Sequence, residues 1–356
     1  MDSRSYRDPA LMSALTTCLQ DWEKPVSIME VCGSHTMAIG RWGIRKLLPS
    51  SIRLLSGPGC PVCVTPMSMI DQLAGLKDVT IATFGDLIRV PGERISLEKA
   101  RAQGLDVQII YSPLEALKIA RKRKTILAGI GFETTIPGIA QTVLEAERQG
   151  ISDFYVYPAF KLIPPALKAL LKINNSIDGF ILPGHVSVII GARAYRFLPR
   201  DFGRGGVITG FEPVDIMLAI SRLLKQLKNG DCKIENEYSR VVNERGNNKA
   251  QDIIYKVFQP ERALWRGLGW LENSGLGFKP AYERFDARLV FSLPPLEDYI
   301  KSGCRCPDVL RGVIIPSECP LFGSNCNPAH PLGSCMVSSE GSCAAYFKYE
   351  RNSNEC

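Results

Sequence analysis

The sequence contains little histidine and none of the common phosphate-binding or metallopeptidase motifs. Only 3 of the 356 residues are His, and neither an HExxH motif nor a GxxxxGK[ST] phosphate loop occurs. The Gly129–Gly131 segment lacks the third glycine of a dinucleotide fingerprint, and the CxxxCxxC spacing of radical-SAM enzymes is missing. The sequence therefore gives little support to a nucleotide site and none to a zinc peptidase or a radical-SAM enzyme.

Long apolar runs are also missing. No stretch approaches the roughly 18 apolar residues that mark a membrane span. The first twenty residues carry charges of both signs and lack the apolar core of a signal peptide. The net charge of +7 is spread along the chain, and its densest basic run, Arg121–Lys124, is typical of the solvated end of a helix. We expect a cytoplasmic protein that binds neither membranes nor nucleic acids.

Cysteine, by contrast, is abundant, with 12 residues. Cytosolic thiols are kept reduced, so metal binding or thiol redox chemistry explains them better than structural disulfides. Cys18 and Cys232 are isolated, and a buried small side chain or an inert surface thiol accounts for each. The others form two groups, which the sequence places at Cys32, Cys60 and Cys63, and at Cys304, Cys306, Cys319, Cys326, Cys335, Cys343 and Cys356.

Strand and helix patterns alternate between about residues 26 and 230, which predicts an α/β fold with parallel sheets. Many of the strand segments are nearly continuous apolar runs, as in strands covered on both faces. The predicted strands are Val26–Val31, Ile52–Ser56, Val79–Phe84, Val107–Tyr111, Thr125–Ile130, Phe154–Tyr157, Gly179–Leu182 and Gly206–Thr209. The predicted helices are Pro66–Leu76, Pro113–Arg123, Thr134–Gln149, Pro164–Lys172 and Pro213–Lys228.

We predict three domains. The basic stretch near residue 124 divides two α/β domains, 25–124 and 125–232, and the chain turns polar after residue 231. The remaining segment, 233–356, is rich in Gly, Pro and Cys and has little periodicity, so we expect a cysteine-rich domain with little regular structure. The N-terminal helix, residues 1–24, is expected to join it.

Four cysteines of the C-terminal group have the spacing of a metal site: Cys319, Cys326, Cys335 and Cys343. Four thiolates in a loop-rich segment suit a tetrahedral zinc or an iron–sulfur cluster. The CxxC pairs of zinc ribbons are missing, which favours a [4Fe–4S] cluster, with free structural thiols as the alternative. Cys304 and Cys306 could be a redox pair, a spare ligand or neither, and Cys356, the last residue, is expected to be frayed.

Two further motifs near the N-terminus carry reactive side chains. Cys60 and Cys63 form a CxxC between a predicted strand and a helix starting near Pro66, where the helix dipole would lower the pKa of a thiolate. This favours dithiol–disulfide exchange, with half of a zinc site as the alternative. Cys32 precedes His35 by three residues, which is compatible with a nucleophile–base pair, a metal site, or a buried Cys and a capping His.

These motifs share a position, because each follows a predicted strand. Ligands of open parallel sheets bind outside the carboxyl ends of the strands, so the motifs should converge on one or two crevices. His35 and His185 would lie there. Glu133 and Glu212 could be acids, hydrogen-bond acceptors or charges at helix N-termini. The strand-end motifs begin at Cys32, Cys60, Gly131, Pro183 and Gly210.

Six motifs together resemble the HypD family of hydrogenase maturation factors. In order, from about residue 28 to 348, they are EVCGSHT, GPGCPVC, GFETT, PGHV, GFEP and CPLFGSNC…GSCMVSSEGSCAAY. One departure is CRCPDVL, where Pro307 stands in place of an expected glycine. The resemblance implies two α/β domains facing a cleft and a third domain with a [4Fe–4S] cluster. It also implies a scaffold, formed with the small chaperone HypC, on which the Fe(CN)2CO unit of [NiFe] hydrogenase is assembled with cyanide from HypE.

The resemblance also assigns residues. Cys32 would bind the nascent iron together with a cysteine of HypC, with His35 beside it. Cys60 and Cys63 would be the redox pair that relays electrons between the cluster and the cleft. Further candidate catalytic residues in the matched motifs are Glu133, His185 and Glu212. The cluster ligands would be Cys319, Cys326, Cys335 and Cys343.

We therefore expect a redox-active assembly scaffold, monomeric on its own, rather than a conventional turnover enzyme. Two other functions share parts of the evidence. An iron–sulfur-dependent thiol–disulfide reductase would need the cluster and the CxxC but not the separate thiolate of Cys32. A zinc-stabilised binding protein would need neither redox site.

Overall fold

The fold is α/β in a computed structural model that describes residues 6–300 and 302–351. Residues 1–5 of the predicted N-terminal helix and Cys356 lie outside the described residues. The strands are β1 (Val26–Glu30), β2 (Ile52–Ser56), β3 (Thr80–Thr83), β4 (Asp106–Ile109), β5 (Thr125–Gly131), β6 (Phe154–Phe160), β7 (Gly179–Pro183), β8 (Gly205–Thr209), β9 (Ile234–Asn236), β10 (Phe258–Trp265) and β11 (Gly269–Phe278). All eight strands predicted between residues 26 and 209 are confirmed.

The helices surround these strands, and all five predicted ones are confirmed with shifted ends. The α-helices are α1 (Pro9–Gln20), α2 (Gly33–Arg41), α3 (Ile44–Leu47), α4 (Met67–Ala74), α5 (Leu97–Ala102), α6 (Glu115–Ala120), α7 (Ile136–Arg148), α8 (Ile163–Ile173), α9 (Gly184–Ile190), α10 (Phe197–Phe202), α11 (Pro213–Asn229), α12 (Asn248–Val257), α13 (Ala287–Val290), α14 (Cys306–Leu310), α15 (Ser334–Val337) and α16 (Ser342–Tyr349). Across the part of the chain that the structure describes, no helix is both long enough and apolar enough to cross a membrane.

The strands form two parallel sheets and one antiparallel hairpin. The first sheet has the order β2-β1-β7-β8-β9, and the second has the order β4-β3-β5-β6. The predicted boundary between residues 124 and 125 falls inside the second sheet, between β4 and β5. The chain therefore starts the first sheet, builds the second, and returns to complete the first. Strands from both sides of residue 124 therefore share the first sheet, because parallel strands pair through crossovers rather than in chain order.

A shared core fills the space between the two sheets. In β1, Met29 faces this core while Ile28 packs under helices on the opposite face of the first sheet. In β5, Ile126 faces the same shared core and Leu127 packs on the far side of the second sheet. Side chains of a strand alternate between its two faces, so strands buried on both faces read as continuous apolar runs.

The region after residue 257 contains more regular structure than the sequence predicts. Strands β10 and β11 pair as an antiparallel hairpin, with Gly267 at φ +80° in the turn. The Leu162 N–H donates to the carbonyl oxygen of Ser274 at 2.9 Å, which ties the hairpin to the end of β6. The pairing shifts register between Glu261 and Ala263, so the sequence shows no simple alternation there. Beyond the hairpin the segment consists of short helices and loops, as expected.

Candidate functional site

The carboxyl edge of the first sheet gathers four of the sequence motifs. Four neighbouring strands of this sheet, β2, β1, β7 and β8, are each followed by a segment with one of the motifs. These segments carry Cys60, Cys32, His185 and Phe211, respectively. Because the strands are parallel, all four segments lie at the same edge of the sheet. Glu133 follows β5 and therefore belongs to the edge of the second sheet.

Cys32 is the N-cap residue of α2, immediately after β1. Its side chain is buried, with 8% of the residue exposed. Its N–H donates to Glu30 Oε2 at 3.0 Å, and the Thr36 hydroxyl donates to the other oxygen of that carboxylate. Burial, and after it the charge of Glu340, raises the pKa of the Cys32 thiol to about 12. The thiol is therefore protonated at neutral pH.

The loops of Cys32 and Cys60 touch through their backbones. The Gly33 N–H donates to the carbonyl oxygen of Gly59 at 2.8 Å. A Cβ atom on Gly59 would lie 2.1 Å from the Cys32 nitrogen, so only glycine allows this approach. The two cysteine motifs are thus fixed relative to each other by main-chain packing rather than by flexible side chains.

His35 is fully buried on the first turn of α2. Its Nε2 lies 2.9 Å from the carbonyl oxygen of Gly210, which can only accept, so Nε2 carries the proton. Nδ1 is then unprotonated, and it has no hydrogen-bond partner. Burial lowers the pKa of His35 to about 4, so the ring is neutral. Phe211 contacts the rings of both His35 and the exposed His185, with centroids 4.8 and 4.0 Å away.

Cys60 and Cys63 are joined by a disulfide bond. Both residues are buried in the turn after β2. Helix α4 begins only at Met67, with Pro66 as its N-cap. The CxxC lies between the strand and the helix as predicted, but three residues separate Cys63 from the first residue of the helix. The dipole acts mainly within the first turn of a helix, so it does not supply the expected stabilisation of a thiolate.

The C-terminal segment reaches both N-terminal motifs. The Ser34 hydroxyl donates to Glu340 Oε1 at 2.7 Å, and Ser338 Oγ lies 3.3 Å from Cys60 Sγ. Glu340 also packs against Gly33, where a Cβ would lie 2.4 Å from the Cβ of Glu340. Glu340 lies inside the C-terminal motif, but no sequence pattern singles it out. No local spacing signals a contact between residues 306 positions apart.

The two glutamates of the GFE tripeptides have different environments. Glu133 is buried, accepts a hydrogen bond from the Ile163 N–H at 3.0 Å, and has no partner for Oε2. Burial raises the pKa of Glu133 to about 7. Glu212 is the N-cap residue of α11 and forms an ion pair with Arg7 at 2.5 Å. Its carboxylate thus has the helix N-terminal role considered from the sequence.

Six cysteines line one small pocket in the C-terminal segment. They include Cys304 and Cys306, whose roles the sequence left open, and Cys306 Sγ lies 2.7 Å from Cys335 Sγ. The other lining side chains are apolar, such as Val309 and Phe322, and none of them carries oxygen or charge. The six are Cys304, Cys306, Cys319, Cys326, Cys335 and Cys343.

This pocket has the donor set for an iron–sulfur cluster. Within residues 6–300 and 302–351, no three or more His, Cys, Asp or Glu side chains form a group that could hold a single metal ion. A [4Fe–4S] cluster needs a different arrangement of ligands from a single metal ion, because four cysteine thiolates hold it and each binds a different iron. An apolar wall lined with sulfur and without competing oxygen donors satisfies that chemistry.

Comparisons with known proteins show the family of the chain. A family model named HypD, described as "Hydrogenase formation hypA family", matches residues 9–350. The chain is 45% identical over 341 residues to hydrogenase maturation factor HypD of Escherichia coli, covering 94% of this chain and 91% of that protein. It is 43% identical over 363 residues to the protein of the same name from Azotobacter vinelandii, covering 97% and 96%. With motif order, fold and nearly full-length similarity in agreement, the chain belongs to the HypD family of hydrogenase maturation factors.

Proposed function

We propose that this protein is a scaffold on which the Fe(CN)2CO unit of [NiFe] hydrogenase is assembled, in complex with HypC and with cyanide supplied by HypE. The observation that carries the proposal is the convergence of three cysteine-bearing segments. The Cys32 loop packs on the loop before Cys60, and the C-terminal segment contacts both through Glu340 and Ser338. A thiol for iron, a disulfide and a sulfur-lined pocket are thereby combined in one unit.

In this proposal Cys32 binds the incoming iron, which is a substrate rather than a resident cofactor. A soft thiolate suits a low-spin iron that carries cyanide and carbonyl ligands. The pKa of Cys32, raised to about 12, means that the thiol must lose its proton as iron binds. The unprotonated Nδ1 of His35 has no hydrogen-bond partner among the described residues and can accept a hydrogen bond from a donor that enters the site, such as a water molecule.

The pocket of six cysteines is the proposed place of the [4Fe–4S] cluster, with Cys319, Cys326, Cys335 and Cys343 as the ligands. Such a cluster, when bound, supplies electrons one at a time. Separately, the Cys60–Cys63 bond takes up two electrons and two protons when it opens to two thiols. The chain thus holds a two-electron store next to the loop of Cys32.

The scaffold role is preferred to that of a thiol–disulfide reductase because of Cys32. A reductase needs the pocket and the disulfide but not a third, separate buried thiol. Here Cys32 is held by α2, by Glu30 and by the Gly59 contact, which is a well-ordered environment for a metal ligand. Two expectations stay predictions: that the protein is cytoplasmic, and that it is a monomer when it is not bound to a partner.

The test is assembly of the iron unit in a complex purified without oxygen. Co-expression with HypC and HypE should give a complex with infrared absorption of iron-bound cyanide and CO. Cys32→Ala should abolish these bands, whereas Cys18→Ala, which removes an exposed thiol, should leave them unchanged. Bands that persist in the Cys32→Ala complex would rule out the proposed iron ligand. Intact assembly with Cys60→Ala and with Cys63→Ala would rule out a role for the disulfide.

Measuring iron and acid-labile sulfide in the isolated protein tests the proposed [4Fe–4S] cluster. About four of each per chain are expected for one cluster. Loss of both on changing Cys335 to Ser, with no loss in Cys232→Ser, would confirm the pocket. Zinc in place of iron would contradict a redox role for it.

A further inference from the structure

A buried arginine lies between the disulfide and the cysteine pocket. Arg266 follows β10 and is 0% exposed. Its backbone N–H donates to the carbonyl oxygen of Val64, the residue after Cys63, at 2.8 Å. This hydrogen bond holds the backbone of Arg266 against the disulfide loop.

The guanidinium of Arg266 bridges the two cysteine sites. Nη1 donates to Ser334 Oγ at 2.5 Å, and the Ser334 hydroxyl donates to the carbonyl oxygen of Cys63 at 3.3 Å. Nη2 lies 3.9 Å from Cys304 Sγ, in the wall of the pocket. A Cβ atom on Gly333 would lie 2.9 Å from Nη2, so this glycine leaves the room that the guanidinium occupies.

The charge of Arg266 has no carboxylate partner among the described residues. Every ion pair of the described residues is formed by a basic side chain other than Arg266. The carboxylate of Asp298 accepts a hydrogen bond from the Gly267 N–H, at 3.2 Å, rather than from the guanidinium. A buried cation is costly unless an anion compensates it. The charged or ionisable groups that act on it are the thiols of Cys306, Cys335 and Cys304 and, after them, the carboxylate of Asp298.

We propose that Arg266 is the counter-charge of the cysteine pocket, and that it favours the more negative, reduced state of a cluster bound there. This inference rests on the proposed cluster. Reduction adds one electron, breaks no bond, and makes the cluster and its four thiolates more negative by one unit. A fixed positive charge in a poorly screened interior stabilises that added charge, since charge, hydrogen bonds to sulfur and exposure set cluster potentials. Arg266 is thus a positioning residue that acts through the cluster and not on substrate.

The test is the reduction potential of the cluster in the full-length protein, titrated with dithionite under electron paramagnetic resonance. Arg266→Gln should make reduction at least tenfold less favourable, which for a one-electron couple is a potential about 59 mV lower. Arg266→Lys, which keeps the charge, should recover most of that shift. Arg305→Gln is the matched control. It removes one charge beside Cys304 and Cys306, but the Arg305 side chain is 45% exposed and paired with Asp308, so the potential should change by less than half as much.

The outcomes separate this inference from the proposed function. Wild-type protein without iron and sulfide would overturn both. A wild-type cluster whose potential is the same in Arg266→Gln would overturn the role of Arg266 and leave the cluster standing. Should Arg266→Gln fail to fold, Arg266→Met tests the same point, because it also removes the charge and keeps an apolar side chain of similar length. A lower potential in Arg266→Met is expected, and an unchanged potential would overturn the inference.

Discussion

The close approach of Gly59 to Cys32 leads to a quantitative prediction. An added Cβ would lie 2.1 Å from the Cys32 nitrogen, 2.4 Å from the Val31 carbonyl carbon and 2.5 Å from the Cys32 Cα. All three are backbone atoms, so no side-chain rotation relieves the overlap, and the two loops must separate. We therefore expect Gly59→Ala to destabilise the protein and to loosen the environment of Cys32.

The magnitude follows from three contributions. Overpacking of a tight site costs about 1–3 kcal/mol. Loss of the hydrogen bond from Gly33 to the Gly59 carbonyl adds about 1 kcal/mol. The lower entropy of the unfolded alanine chain offsets about 0.4–1 kcal/mol. The free energy of unfolding should fall by about 1–3.6 kcal/mol.

Denaturant unfolding and the rate of Cys32 alkylation together measure this effect. The control is Gly138→Ala, in helix α7. A Cβ atom on Gly138 would contact only Pro113 Cγ, at an ordinary distance of 3.8 Å. This control should be stabilised by about 0.5–1 kcal/mol, as expected for alanine in a helix. If Gly59→Ala were as stable as Gly138→Ala, and Cys32 reacted at the wild-type rate, the packing of the two loops described above would be refuted.

Three further predictions concern buried ionisable groups. Burial and the charge of Glu340 raise the pKa of Cys32 to about 12, so Glu340→Gln should lower that pKa and speed alkylation of Cys32 at pH 8. Glu318→Gln is the control and should leave the rate unchanged, because Glu318 is an exposed carboxylate paired with Arg53. Equal alkylation rates in the two variants would contradict the effect of Glu340 on Cys32. Burial raises the pKa of Glu133 from 4.5 to about 7, so the folded chain holds this proton more tightly, and stability should fall by roughly 3 kcal/mol as pH rises from 4.5 through 7. Denaturant unfolding of Glu133→Gln should show no such fall in stability with pH. The same pH profile in the variant as in the wild type would refute the assignment of this effect to Glu133. Burial lowers the pKa of Lys161 to about 7, so the unfolded chain binds its proton more tightly, and stability should rise between pH 7 and 10 in the wild type but not in Lys161→Met.

Much of the local structure could be predicted from the residues alone. The strands before Cys32 and Cys60 are short and mostly apolar, and parallel strands bring the segments that follow them to one edge of the sheet. Cysteine abundance and spacing were enough to indicate a sulfur site in the C-terminal segment. Local periodicity and residue chemistry carry this information because they act over a few neighbouring residues.

The tertiary structure decided what depends on contacts between distant parts of the chain. Strand order placed β1 beside β7 and so assigned strands from both predicted α/β domains to one sheet. Distant packing also brought Glu340 to Ser34, and Cys304 and Cys306 into the pocket, although their spacing had no clear meaning. The same packing put Arg266 between the disulfide loop and the pocket. Such contacts join residues far apart in sequence through the burial of whole surfaces, and no local pattern records which surfaces meet.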